Sequence, residues 1–225
     1  MSPTGTVGVE ALAAEIGPKL RALPSRWTGV VRALRQEYSK RLAQAPPGAV
    51  VALARRLLDQ PDADCRFVAY ELVHYQRAAL RSLHAKEIER LGRGLDSWGA
   101  VDTFACYLAG PAWREHQVPD ELIQSWARSK DRWWRRAALV STVPLNNKTR
   151  GGRGDAARTL AMCAMLVEDR DDMVVKALSW ALRELVKHDP KSVRAFVAEH
   201  EGALAPRVRR EVRNKLTTGL KNPRR

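Results

Sequence analysis

Apolar positions along this chain recur at spacings of three and four. Val51, Leu53, Ala54, Leu57 and Leu58 form one such run, and Val174, Val175, Leu178, Ala181, Leu182 and Leu185 form another. This period follows the turn of an α-helix, whereas a strand alternates every second residue. Turn-forming clusters separate the runs: APPGA at 45–49, QPDAD at 60–64, GRGLDS at 92–97, AGPA around Gly110 and Pro111, NNKTRGGRGD at 146–155 and HDP at 188–190. Stretches rich in Ala, Leu, Arg and Glu outnumber those rich in Val, Ile and Thr. The pattern predicts an all-α chain of roughly a dozen helices, each about 10 to 18 residues long.

From about residue 48 onward the predicted helices come as pairs joined by short turns, each pair covering about 35 to 45 residues, which is the period of HEAT-type repeats. Such pairs bury their faces by stacking on neighbours, and a curved solenoid is the expected architecture. An irregular helical bundle is the alternative, because degenerate repeats and ordinary helix hairpins share this pattern. The expected organisation is one helical-repeat domain over 1–225, with divergent N-terminal helices at 1–47, repeats at 48–216 and a basic tail at 217–225.

Charge narrows the choice of partner. Lys and Arg number 39 against 25 Asp and Glu, a formal charge of +14. Such an excess favours a polyanion, and nucleic acid is the commonest one, although ribosomal surfaces and anionic lipid also fit. Cys65, Cys106 and Cys163 are widely spaced and lie in helical apolar patterns without zinc-ligand spacing, so they read as reduced packing residues. No metal or cofactor is implied. The N-terminal stretch lacks the basic and apolar regions of a signal peptide, and no window approaches about 18 uninterrupted apolar residues. A soluble, monomeric, cytoplasmic protein with no membrane association is expected.

Four segments carry candidate chemistry. In DSWGAVDTFACYLAG at 96–110, a cap at Asp96 or Ser97 would place Trp98 and Asp102 one turn apart on one helix face, with Val101, Phe104, Ala105 and Leu108 facing the core. Asp102 is the only charge between Ser97 and Arg114, so its carboxylate is either paired with an arginine of a following helix or put to use. In DRWWRRAALV at 131–140, Trp133 and Trp134 precede Arg135 and Arg136. They form either a surface that touches phosphate and sugar or a packed tryptophan beside solvated arginines. KALSWALRELVKHDP at 176–190 holds Trp180 in mid-helix, with Arg183 and Glu184 one turn on. APRVRREVRNKL at 205–216 is a basic helix whose Arg207, Arg209, Arg210, Arg213 and Lys215 cannot share one face. Between these elements, Lys148, Arg150 and Arg153 sit in a glycine-rich loop that is either a connector or a grip on backbone phosphate.

In this order the four segments resemble the AlkD-like family of HEAT-like-repeat DNA glycosylases, over about residues 48 to 216. The resemblance implies a right-handed solenoid with a concave basic DNA-binding surface. It also implies excision of N3- or N7-alkylated purines from double-stranded DNA by a monofunctional glycosylase. SWGAVD matches the family motif that supplies a tryptophan and a catalytic aspartate, here Trp98 and Asp102. WWRRAAL matches the helix that supplies a DNA-contacting arginine, here Arg136, and KALSWALRE the one that supplies a second aromatic, here Trp180. LAPRVRRE echoes the family's basic terminal helix. On this reading Arg136, helped by Arg135, holds a phosphate beside the lesion, and Lys148, Arg150, Arg153, Arg183, Arg207 and Arg210 follow the DNA backbone. The alternatives are a non-catalytic repeat module that binds DNA structures and a protein-binding scaffold. The partner of Asp102 separates them, because a carboxylate locked against Arg136 and shut off from solvent argues against catalysis.

Overall fold

A computed structural model describes residues 8–223. The first seven residues and Arg224 and Arg225, the end of the basic tail, lie outside the described residues. Among the described residues there are helices and no strands, as the apolar period predicts. No helix among them is long and apolar enough to cross a membrane. The chain divides into two compact units, the first ending at Arg93 and the second beginning at Gly94.

In the first unit, α1 (Val9–Arg21) and α3 (Pro47–Leu58) pack together, as do α2 (Thr28–Arg41) and α4 (Ala63–Tyr75), with α3 against α4. The short helices α5 (Arg77–Arg81) and α6 (Ala85–Leu91) follow. Glu71 of α4 is wholly buried, and two arginines of α2 reach it: Arg32 Nε lies 2.8 Å from Oε1 and Arg35 Nε 3.0 Å from Oε2. Paired in this way, a carboxylate can sit inside a helical layer.

The second unit carries the predicted site. It opens with α7 (Trp98–Phe104), one widened turn (Ala105–Ala109) and α8 (Gly110–Arg114). Three hairpins follow: α9 (Asp120–Ala127) with α10 (Arg132–Val140), α12 (Ala156–Met165) with α13 (Asp172–Leu185), and α14 (Pro190–Glu199) with α15 (Pro206–Thr218). The small helix α11 (Val143–Asn146) and a single 3-10 turn (Lys148–Arg150) lie between the first two hairpins. Helices α7, α10, α13 and α15 pack side by side as one layer, and α9, α12 and α14 form a second layer over it. The hairpins start at Asp120, Ala156 and Pro190, a recurrence of about 35 residues that is the HEAT-like spacing. An aspartate just before each helix sets its start: the side chains of Asp131, Asp155, Asp171 and Asp189 accept backbone N–H bonds in the first turns of α10, α12, α13 and α14.

One turn cluster is misread by the sequence. AGPA does not end a helix, because the chain runs helically from Trp98 to Arg114 through it. Pro111 has no N–H to donate back along the ladder, and the Gly110 N–H reaches five residues back to the Ala105 carbonyl, opening the turn by one residue. Gly110 also permits close packing. A Cβ there would lie 2.7 Å from the Ser141 carbonyl oxygen and 2.7 Å from Pro144 Cγ. Gly110→Ala is therefore expected to lower stability by about 1–3 kcal/mol in urea denaturation, through overpacking of the helix that bears Asp102. Gly99→Ala, on the same helix with nothing within 4 Å, should leave stability unchanged or raise it by up to about 1 kcal/mol.

Candidate nucleic-acid interface

The aspartate helix is seated by aromatic packing. Phe104 of α7 lies 5.8 Å from Trp126 of α9 and 6.1 Å from Trp134 of α10, and those two tryptophans are 4.9 Å apart, centroid to centroid. Trp134 is thus a packing residue, while Trp133 stacks under Arg132 at 4.7 Å. At the start of α7 the Ser97 hydroxyl accepts the Ala100 N–H, so Ser97 and not Asp96 is the cap. With the core face of α7 fixed on this cluster, Trp98 stands 61 % exposed and Asp102 half-buried one turn further on.

Asp102 has a partner within the protein. Arg136 Nε donates to Oδ1 at 2.9 Å and Nη2 to Oδ2 at 2.8 Å, a two-pronged pair between α7 and α10. The remaining nitrogen, Nη1, donates to the Met173 carbonyl at the start of α13, 2.6 Å away. The Arg136 side chain is 6 % exposed and that of Asp102 19 %, so the carboxylate is paired without being closed to solvent. Burial raises its pKa above the usual aspartate value, against the pull of the guanidinium.

Of the two readings open for Asp102, the geometry shows the first, a facing charge from an arginine of a later helix. The protein supplies it, and Arg136, whose three nitrogens are occupied inside the fold, is an orienting group and no longer a free phosphate clamp. Arg135 is engaged too: Nε donates to Asp169 at 2.7 Å and Nη1 to the carbonyls of Ser129 and Lys130. Both arginines are therefore engaged within the protein, Arg136 through all three nitrogens and Arg135 through Nε and Nη1.

Arg136 also forms part of the wall of a cleft of about 450 Å³ between α13 and α15, which it shares with Trp180, Lys176, Arg183, Arg207, Arg210, Glu211, Lys221 and Asn222. Five predicted residues thus meet at one place, Arg136, Trp180, Arg183, Arg207 and Arg210, with Asp102 one residue behind the wall. Trp98 joins them only through its position one turn from Asp102. The loop residues lie elsewhere: Lys148 is exposed, Arg150 stacks on the Tyr107 ring at 5.0 Å, and Arg153 lines a separate recess with Arg114 and Arg158. Inside the cleft Arg207 donates to Asp172 at 2.7 Å, and Arg183 lies 3.1 Å from Ser179 Oγ and 3.7 Å from Glu211. Burial lowers the Arg183 pKa, opposed by Glu211 and Glu184.

Lys176, Glu211, Lys221 and Asn222 are cleft residues that the sequence reading passed over. The signal for Glu211 was its isolation as the single acid within the basic run PRVRREVRNK. Cys65, Cys106 and Cys163 are free and buried, as expected for packing residues, and burial pushes the thiols of Cys65 and Cys106 up to about 11 and about 12.

No curated protein sequence matches the chain. A family model described as DNA alkylation repair enzyme matches residues 26–216. The match begins in the turn before α2, upstream of the boundary at 48, and takes in α7, α10, α13 and most of α15, the layer that assembles the cleft and the Asp102–Arg136 pair. On this match the chain belongs to the DNA alkylation repair enzyme family.

Proposed function

We propose that this protein is a monofunctional DNA glycosylase that hydrolyses the N-glycosidic bond of N3- or N7-alkylated purines in duplex DNA. The observation that carries this reading is a partly open carboxylate, Asp102, held rigid by Arg136 directly behind a cationic cleft walled by Trp180. An alkylated purine of this kind is already cationic and leaves without strong acid catalysis. The remaining barrier is the positive charge that develops on the deoxyribose. A carboxylate offers about four lone-pair positions, and Arg136 takes two of them, so the others remain for the sugar cation or for an attacking water. Because the carboxylate is already oriented, it need not reorganise as the charge develops. Trp98 and Trp180 present electron-rich faces that favour a cationic base by roughly 0.5 to 2 kcal/mol each, and a neutral purine gains less. No lysine lies beside Asp102 on α7, and the cleft lysines Lys176 and Lys221 face Asp172 and Glu211, which favours hydrolysis without strand cleavage.

A second reading has an observation of its own. The Asp102–Arg136 pair is also the arrangement of a structural ion pair, which favours a module that binds damaged DNA without cutting the glycosidic bond. Both readings require DNA binding that weakens steeply with salt, by a log–log slope of about −0.9 for each phosphate contacted. A flat salt dependence would point to a protein partner.

Release of 7-methylguanine or 3-methyladenine from methylated duplex separates the two. Asp102→Asn should lower the single-turnover rate by about 10²- to 10³-fold, the scale of losing one preorganised charge-stabilising group. Equal release by wild type and variant would sink the mechanism, and release by neither would leave the binding module. The raised pKa of Asp102 gives a second expectation. The folded chain holds this proton more tightly than the unfolded chain, so ionising Asp102 costs stability as pH rises through the raised pKa, while the ionised form needed for catalysis accumulates over the same interval. Corrected for spontaneous base loss, the rate should therefore fall on acidification at a pH above the value of about 3.9 for a solvated aspartate.

A further inference from the structure

We propose that the cleft between α13 and α15 is a docking site for one phosphodiester of the DNA backbone, and that Lys221, carried back by the C-terminal segment, is one of its ligands. This rests on the DNA-binding reading above and moves the phosphate contact from Arg136 to the rim formed by α15 and the segment after it.

The segment is folded back by specific contacts. After Thr218, Gly219 adopts φ 73°, the left-handed region, which reverses the chain. Lys215 Nζ donates to the Gly219 carbonyl, and Asn214 Nδ2 donates to the Lys221 carbonyl at 3.0 Å. These bonds hold residues 219–221 against α15 and bring Lys221 Nζ to 3.5 Å from Glu211 Oε1. Glu211 is buried. Its Oε2 accepts the Ser179 hydroxyl at 2.6 Å and lies 3.7 Å from Arg183 Nε. One buried carboxylate therefore positions a cation from α13 and a cation from the C-terminal segment on the same cleft.

The charge balance shows what the cleft lacks. Arg136 is committed to Asp102, while Lys176 and Arg207 both reach Asp172, at 2.6 and 2.7 Å. Arg183 and Lys221 share the single charge of Glu211, and Arg210 is exposed with no carboxylate partner recorded among the described residues. Outside the Asp102–Arg136 pair, five cations thus face two carboxylates, Asp172 and Glu211, an excess that a phosphodiester would partly offset. Trp180 supplies an apolar wall for the attached sugar, and a cleft of about 450 Å³ is in the size range of small-ligand sites.

The test is binding of undamaged duplex DNA, followed by fluorescence anisotropy over a range of sodium chloride concentrations. Lys221→Gln should reduce the log–log salt slope by about 0.9 and weaken binding several-fold at low salt. Lys191→Gln, an exposed lysine on α14 in the other layer, controls for loss of one charge and should leave the slope unchanged. Equal slopes for the two variants would overturn the proposal. Gly219→Val keeps every charge but disfavours the reversal at Gly219, and it should lower the slope in the same direction. If only Lys221→Gln lowers it, Lys221 acts as a tethered charge and the built site is wrong. Inorganic phosphate should compete no better than chloride at matched ionic strength, and selective competition would instead assign the cleft to a free anion. Undamaged DNA needs no chemistry, so a slope effect without base release would leave this site standing while the glycosylase reading fell. Intact release with no slope effect would overturn this site alone.

Discussion

A guanidinium almost wholly enclosed in a layer of helices has to be neutralised and hydrogen-bonded where it lies, because uncompensated burial of one ion costs several kcal/mol. Arg136 meets that demand with Asp102 on one side and the Met173 carbonyl on the other. The requirement ties α7, α10 and α13 into one row. A matching arrangement recurs one helix further on, where buried Glu211 of α15 accepts Ser179 and faces Arg183 of α13. Polar links between neighbours in this layer fix the register of its helices, and the aromatic cluster of Phe104, Trp126 and Trp134 fills the space between α7, α9 and α10.

The functional consequence runs in two directions. Pairing with Arg136 removes rotational freedom from the Asp102 carboxylate, which suits a group that must meet a developing charge without rearranging. The same pairing offsets part of the negative charge that would do the stabilising. Residual exposure of the carboxylate and the unused lone pairs keep the site open. Because Arg136 is committed inward, the proposed contact with the DNA backbone falls to residues at the surface of the cleft. These side chains project from α13, α15 and the segment after it, and they keep a net positive charge.

Some of this was legible along the chain. The three-and-four spacing pointed to an all-helical chain, and Trp98 and Asp102 fell on one face because one turn separates them. The four motifs also fall, in order, on the four helices of one layer, α7, α10, α13 and α15. Other features were hidden by the same local logic. Gly110 and Pro111 look like a stop, and only the packing of Gly110 against Ser141 and Pro144 shows why the helix passes through with a widened turn. The two tryptophans of DRWWRR look equivalent, yet Trp134 is packed against Phe104 and Trp126 while Trp133 stacks with Arg132.

Helix type and side-chain faces depend on residues three to four apart and were read from the sequence, whereas several helices, α5 to α11, are shorter than the expected 10 to 18 residues because tertiary packing sets where they end. The sequence also determined the excess of positive charge, since that is a sum over residues and needs no geometry. The partners of the charges were decided by the tertiary structure. Asp102 and Arg136 are 34 residues apart, Ser179 and Glu211 32. Many arginines in this chain have the reach and charge to pair with Asp102, so composition and spacing leave the choice open. Stacking of α7 against α10 selects one of them, because a buried carboxylate takes the cation that packing brings to it and that is itself shielded from water.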